Sequence, residues 1–416
     1  MVFLKRKLEE KLLPLLERKE IIGIRGARQT GKTTLLKMLQ EQLQSTAFVN
    51  FDLPENRRAL EEAPLNFITR LKTTPKLFLF LDEIQKVKDA GEKLKIIFDQ
   101  VPEVKMFFSG SSSLEIKTQV LPALVGRLFL FELYTFDFEE FLLAKDVGLW
   151  KIYQEKHQSL QNLIAGKGEP SPPSFQESFL TLWQEYATFG GYPEIVKSSN
   201  DEEKKLILKN IFNLYLEKDI VSFFHIEEAA KFEDFLKFLA LTSAQLLVLS
   251  SASTKLALSY QKTEEFLSIL QHTYVISLLR PFHQNLLTEI KKSPKVYFLD
   301  LGLRNMILQN FLPFANRSDS GQLAENFVFR QLLSKFPDYK INFWRTTGKA
   351  EVDFVLTKAE EIIPIEVKLS EKAVGKSFHS FLQAYQPPRA IIVTLNTFKK
   401  EIIAGTSVYW IPIFYF

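Results

Sequence analysis

Eight consecutive residues limit what this chain can fold into: Gly26, Ala27, Arg28, Gln29, Thr30, Gly31, Lys32 and Thr33. They follow a short apolar run at residues 21–25 and open an amphipathic stretch at residues 33–43. A strand, a glycine-bearing turn and a helix in that order can wrap backbone N–H groups around an anion. The glycines permit the wrap, and the helix amino terminus adds partial positive charge. The spacing Gly-x4-Gly-Lys-Thr is that of a phosphate loop. Lys32 is expected to reach β- and γ-phosphates, Thr33 to ligate Mg²⁺, and Thr34 to lie alongside. ATP with Mg²⁺ is the expected ligand. A plain glycine turn is the alternative, and the flanking strand and helix argue against it.

The next segments alternate in the same way. Residues 48–51 read as a strand, residues 77–81 as a strand buried on both faces, and residues 105–109 as another, with a helix at residues 93–100 between the last two. A helix is expected over residues 1–19, with Leu8, Leu12, Leu15 and Leu16 on one side. This rhythm implies a parallel sheet covered by helices. The run at residues 77–81 ends in Asp82-Glu83. Carboxylates at the carboxyl end of a buried strand fall in the crevice where open α/β sheets bind ligands. Asp82 would hold Mg²⁺, and Glu83 would orient and polarise an attacking water. A solvated acidic turn is the bland alternative. Ser109, or Ser111 beyond it, would sense the γ-phosphate or merely cap a helix. Arg127 would stabilise transferred-phosphate charge, in cis or from a neighbouring subunit, or serve as a surface ion-pair residue.

With 416 residues the chain exceeds one compact core. The expected divisions are residues 1–145 for the ATPase core, 146–230 for a helical lid or linker, 231–315 for a winged-helix-like domain, and 316–416 for a last α/β domain. Cysteine is absent, which excludes disulfides, thiolate metal sites and cysteine nucleophiles. None of the five histidines has ligand spacing with another. A net charge of +4 permits a nucleic-acid partner without requiring one. The charged start lacks the apolar core of a signal peptide, and no apolar run is long enough to span a bilayer, so a cytoplasmic protein with no membrane partner is expected.

Several short motifs together resemble the prokaryotic AAA-type ATPases that pair an AAA core with a carboxyl-terminal domain of unknown function. They include residues 26–34, Phe80-Leu-Asp-Glu-Ile-Gln85, Phe108-Ser-Gly-Ser-Ser-Ser113 and Leu124-Val-Gly-Arg127. Further along lie Phe189-Gly-Gly-Tyr-Pro193, Tyr215-Leu-Glu-Lys-Asp219, Tyr297-Phe-Leu-Asp-Leu-Gly302 and Glu351-Val-Asp-Phe354. The resemblance implies an AAA+ or signal-transduction-ATPase-like core.

Residues 249–279 have a helix-turn-helix rhythm. Ser253 would cap a helix over 255–258, residues 259–262 would turn, and a second helix would run over 263–272 before a strand at 274–279. Such a module can read DNA in the major groove. Lys262 is offset by Glu264 and Glu265, however, so packing between domains is the other reading. Asp300 is expected to cap a helix.

The last domain holds a second chemical pattern. Glu325 lies in a helical stretch, Asp353 in an alternating strand, and Glu366-Val-Lys368 in another. Alternation puts Glu366 and Lys368 on one face, and a hairpin would set Asp353 beside Glu366. Glu325, Asp353 and Glu366 would form a hard oxygen site for Mg²⁺ or Mn²⁺, with Lys368 positioning water. An exposed Glu–Lys pair on an amphipathic hairpin is the bland alternative. With its α-β-β-β-α-β order the segment resembles the PD-(D/E)XK nuclease fold, with Asp353, Glu366 and Lys368 matching its residues and Gln383 and Tyr385 loosely matching an auxiliary element. Two hypotheses result. One is an ATP-driven switch coupled to a domain acting on DNA. The other is a nucleotide-dependent scaffold or regulator, as a homo-oligomer or with a partner protein, whose last domain binds without cleaving.

Overall fold

The computed structural model describes residues 4–111, 116–216, 228–282, 292–369 and 374–416. They pack as two units: Met1–Phe136 with His272–Val275, and Asp137–Gln271 with Ile276–Phe416.

The first unit is built on five parallel strands: β1 (Ile21–Arg25), β2 (Thr46–Asn50), β3 (Leu77–Asp82), β4 (Val104–Gly110) and β5 (Leu128–Glu132). Their order across the sheet is β2-β3-β4-β1-β5, with every neighbouring pair parallel. β3 and β4 are buried along their whole length, which is why they read as continuous apolar runs. On one face Ile22, Ile24, Phe80 and Phe107 pack against Leu35, Leu36 and Leu39 of the helix Lys32–Glu41. On the other, Leu79, Leu81, Met106 and Phe108 meet Leu94 and Ile97 of the helix Ala90–Gln100. Phe80 and Phe107 stack at 4.7 Å, an instance of what the chain's 38 phenylalanines do.

Two local expectations change here. The helix expected over residues 1–19 ends at Leu12 and continues only as a 3-10 turn, Leu13–Leu15. Pro14 lacks the N–H that would bond the Glu10 carbonyl, and its ring crowds that carbonyl. The strand β5 was not expected, and it decides where Arg127 lies.

The second unit opens with the helices Phe138–Lys145, Val147–Ile164, Gln176–Phe189, Pro193–Lys197, Asp201–Leu214 and Ala229–Leu241. The helices Leu249–Lys255 and Tyr260–His272 follow, then an antiparallel pair, β6 (Ile276–Leu279) and β7 (Lys295–Phe298). The register of the helix pair differs from expectation. Ser253 sits inside the first helix, its hydroxyl donating back to the Ser250 carbonyl. Ser259 caps the second, its Oγ accepting from Lys262 N at 3.1 Å. Short polar side chains satisfy turn and cap backbone equally well, so composition alone did not choose between them.

The carboxyl-terminal sheet comprises β8 (Lys340–Arg345), β9 (Glu351–Lys358), β10 (Glu361–Val367), β11 (Arg389–Thr394), β12 (Lys399–Ile403) and β13 (Thr406–Pro412). Its order is β12-β13-β11-β10-β9-β8. β8, β9 and β10 run antiparallel in turn, and β10 pairs parallel with β11. The helix Ser320–Lys335 precedes β8, and Lys376–Tyr385 connects β10 to β11. The expected α-β-β-β-α-β order is therefore present, extended by the hairpin β12-β13.

A buried polar network ties the middle of this unit together. Asp300 caps the helix Leu301–Ile307 as expected, accepting from Leu303 N, and also accepts from Gly191 N, both at 2.9 Å. Gly190 has φ of +76°, and a Cβ there would lie 2.3 Å from an Asp300 oxygen. Arg304 and Arg317, both fully buried, share Asp319 at 2.7 and 2.9 Å. Among the described residues no helix is long and apolar enough to cross a membrane.

Candidate functional site

The phosphate loop joins β1 to the helix Lys32–Glu41 at the carboxyl edge of the parallel sheet. Two glycines are sterically required. A Cβ on Gly26 would lie 2.1 Å from the Leu133 carbonyl oxygen, and Gly31 has φ of +91°. Ala27, Arg28, Gln29 and Thr30 form the turn between them, with Gln29 also left-handed at φ +60°. Thr30 Oγ1 donates to the Ala27 carbonyl at 2.9 Å. The Lys32 ammonium, buried, donates to the carbonyls of Gly26 and Ala27 at 2.9 and 2.6 Å. The lysine is therefore held at the loop by contacts that phosphate oxygens can replace. Thr33 and Thr34 lie in the helix's first turn.

β3 delivers its acids to the same edge. Thr33 Oγ1 donates to both Asp82 oxygens at 2.9 and 3.0 Å, and Ser109 Oγ also donates to Asp82. Burial pushes the Asp82 carboxyl above its ordinary range, against the hydrogen bonds from Ser109 and Thr33. A hydroxyl and a carboxylate so placed suit a hard divalent cation. Glu83 occupies left-handed backbone at φ +59°, an uncommon conformation for a non-glycine residue. Its carboxylate accepts from Gln85 Nε2 at 2.5 Å and from Ser111 Oγ at 3.0 Å. The buried Gln85 Oε1 has no hydrogen-bond partner. Ser109 and Ser111 thus both enter the site, each bonded to one of the two acids; residues 112–115 lie outside the described residues.

Arg127 does not join this site. It immediately precedes β5, which runs parallel to β1 with Leu128 opposite Ile21, and its carbonyl accepts from Ile21 N. That is the amino edge of the sheet, opposite the phosphate loop. Its guanidinium bonds Asp99 at 3.0 and 3.2 Å. The surface ion-pair alternative describes its place within the chain.

Arg6 was missed. Its buried guanidinium donates to the carbonyls of Thr30 at 2.6 Å and Tyr134 at 2.8 Å, and lies 4.6 Å from the Phe136 ring centroid. It braces the phosphate loop from behind. Charged hydrogen bonds of this kind contribute about 1.5–3 kcal/mol each. Arg6→Ala is expected to weaken ATP binding about tenfold, and an unchanged Kd in a fluorescent-nucleotide titration would remove that role. One arginine in an amphipathic stretch carries no local sign of such a task.

A second group of titratable side chains gathers in the carboxyl-terminal sheet. Asp353 and Glu366 come from the β9–β10 hairpin, whose register pairs Phe354 with Ile365. Asp353 Oδ2 accepts from Val367 N at 2.8 Å, and Lys368 Nζ is 4.0 Å from Glu366 Oε1. Glu366 Oε2 is buried without a hydrogen-bond partner. Glu325 arrives from the helix Ser320–Lys335. Burial, with help from Asp353, pushes its carboxyl up to about 7, against Lys295 and Tyr297. Burial also raises Asp353 and Glu366.

The expected residues are therefore neighbours, but a cation unforeseen from the sequence stands among them. Lys295, from β7, contacts Glu325 at 2.8 Å, Glu351 at 2.7 Å and Asp353 at 3.7 Å. Tyr297 OH donates to Glu325 at 2.6 Å. Among the described residues no group of three His, Cys, Asp or Glu residues is placed to hold a metal ion. The metal set expected of Glu325, Asp353 and Glu366 does not fit as it stands, because the lysine ammonium lies against Glu325 and faces Asp353, while Glu366 has Lys368 beside it. Gln383 is exposed, and Tyr385 accepts from Trp344 Nε1 at 3.3 Å within an aromatic cluster. The signal for Lys295 was present: in Lys295-Val-Tyr297 alternation puts both polar groups on one face.

Residues 18–142 match the family model described as AAA domain. Residues 180–313 and 320–415 match two models described as domains of unknown function, DUF8612 and DUF4143. An uncharacterized protein of Haemophilus influenzae is 23% identical over 404 residues, covering 93% of this chain and 92% of the relative. One of Methanocaldococcus jannaschii is 26% identical over 414 residues, covering 95% and 85%. The Walker-type ATPase of Pyrococcus abyssi aligns with TM-score 0.45 at 14% identity, over 74% of this chain and 96% of that one. The stretch of the first unit that matches the AAA domain model is the one that holds the phosphate loop, Asp82 and Glu83.

Proposed function

We propose that this chain is an ATP-hydrolysing switch whose carboxyl-terminal domain is a nuclease-like scaffold directed at DNA. The observation that carries the ATPase half is the gathering of Lys32, Thr33, Asp82, Glu83 and Ser109 at one edge of the parallel sheet. Lys32 binds the β- and γ-phosphates, exchanging loop carbonyls for phosphate oxygens. Thr33 and Asp82 hold Mg²⁺, which when bound neutralises phosphate charge. Glu83 accepts a proton from the attacking water, and Ser109 fixes Asp82 while its Oγ accepts from Glu83 N at 3.3 Å.

Support for the second half is the helix–sheet order around β8 to β11 and the meeting of Asp353, Glu366 and Lys368 on one hairpin. No cleavage step is derived, since the carboxylates surround Lys295. That same observation favours the other reading, a nucleotide-dependent scaffold whose last domain binds without cutting. The helices Leu249–Lys255 and Tyr260–His272 with β6 and β7 follow the order of a winged helix. The second helix is a poor reader of DNA: Glu264 and Glu265 are exposed, and Lys262 is bound to Glu265 at 3.0 Å. Packing is its proposed role.

The test is one purified preparation assayed for ATP turnover and for DNA cleavage with Mg²⁺ or Mn²⁺. Lys32→Ala should abolish phosphate release, and unchanged release would withdraw the ATPase assignment. Cleavage lost on Asp353→Ala supports the nuclease; no cleavage by wild type leaves the scaffold.

A further inference from the structure

The carboxylates of the last domain already hold a cation. Lys295 begins β7, where its backbone pairs with Leu279 of β6 and bridges to Leu246. Its side chain is 2% exposed. The ammonium touches Glu325 and Glu351 and faces Asp353 at 3.7 Å. Tyr297, two residues on and on the same side of the strand, supplies a hydrogen bond to the same Glu325 oxygen and stacks on Phe329 at 4.3 Å. A lysine is almost never buried unless paired, and here its partners include two of the acids expected to bind metal, Glu325 and Asp353. The two sides of the contact come from different parts of the chain. Lys295 lies in residues 180–313 and the acids in residues 320–415, which match separate family models.

Acids outnumber bases in this cluster. Glu325, Glu351, Asp353 and Glu366 face Lys295, Lys368 and Arg345, and the orphaned Glu366 oxygen lies among them. A divalent ion would draw on the same acids, but a buried ammonium within bonding distance of Glu325 and Glu351 repels it and takes its ligands. The two cations exclude each other.

We propose that Lys295 is an internal cation that latches the carboxyl-terminal site: its ammonium stands in the place of a divalent metal ion, which binds there only when that charge is removed. The inference rests on the reading of this domain as nuclease-like.

Mn²⁺ binding to the full chain, read by electron paramagnetic resonance of free Mn²⁺, tests it without requiring cleavage. Lys295→Met and Lys295→Gln remove the charge while keeping most of the stem, and either suffices if it is folded by circular dichroism. The expected result is a site at least tenfold tighter than in wild type, lost again when Asp353→Asn is added, which separates it from Mn²⁺ at the phosphate loop. Lys295→Arg, still cationic, should behave as wild type. An equally tight Asp353-dependent site in wild type overturns the latch and leaves the nuclease-like reading standing. No such site in wild type or in the folded neutral variants overturns both.

Discussion

Exchanging Glu83 for glutamine leaves ATP bound and lowers its hydrolysis by about 10²–10⁴-fold, the usual contribution of a positioned general base. The side chain is presented by left-handed backbone at the end of β3 and fixed by Gln85 and Ser111. Glutamine has nearly the same shape and still accepts a hydrogen bond from Gln85. It cannot take a proton from water. The proposed nucleotide contacts, Lys32 and the Thr33–Asp82 pair, are untouched, so Kd for ATP should change little while phosphate release collapses. Nucleotide titration and steady-state phosphate release on one preparation give both numbers. Turnover within a few-fold of wild type would show that Glu83 is a structural corner and that the base lies elsewhere.

What the sequence reveals of this site follows from how local each contact is. Gly26 to Thr33 act through consecutive backbone on one strand, turn and helix, so their spacing alone encodes the geometry. Asp82-Glu83 is legible because a buried strand is a continuous apolar run and its end is marked by the first charges. Arg127 stayed between two readings because β5 was not foreseen. The parallel register of Leu128–Glu132 with β1 shows that Arg127 enters at the far edge. β12 escaped for the opposite reason: Lys399, Lys400 and Glu401 are exposed on an edge strand, where charge discourages further pairing and hides the strand's period. Lys295 and Arg6 act across long separations in sequence, on acids or carbonyls that no local pattern links to them.

The largest effect on stability belongs to a buried ion cluster in the second unit. Asp319→Ala should destabilise the second unit by about 3–5 kcal/mol, the cost of removing one partner from a buried ion pair. Arg304 and Arg317 are both fully buried and share this one carboxylate. Without it Arg317 keeps the Asn305 side chain and the Asn310 carbonyl at 2.8 Å, whereas Arg304 keeps only longer contacts of 3.4 and 3.5 Å. Asn305 in turn binds the carbonyls of Ala187 and Thr188, so the loss reaches the helix Gln176–Phe189. The sign with pH is fixed. Hydrogen bonds from Arg317 and Arg304 outweigh burial and hold Asp319 down at about 2, below the ordinary 3.8. Its stabilisation is therefore complete above about pH 4 and is lost as pH falls towards 2. Urea unfolding from pH 7 to pH 3 should show wild type losing part of its advantage over Asp319→Ala at the acid end. A variant as stable as wild type at pH 7 would mean that the two guanidinium groups are satisfied without Asp319. Glu83→Gln should leave the same unfolding curves unchanged, because its carboxylate is only partly buried and its neighbours keep their partners. The chemistry of the first unit and the cohesion of the second are thus separable by two substitutions and two measurements.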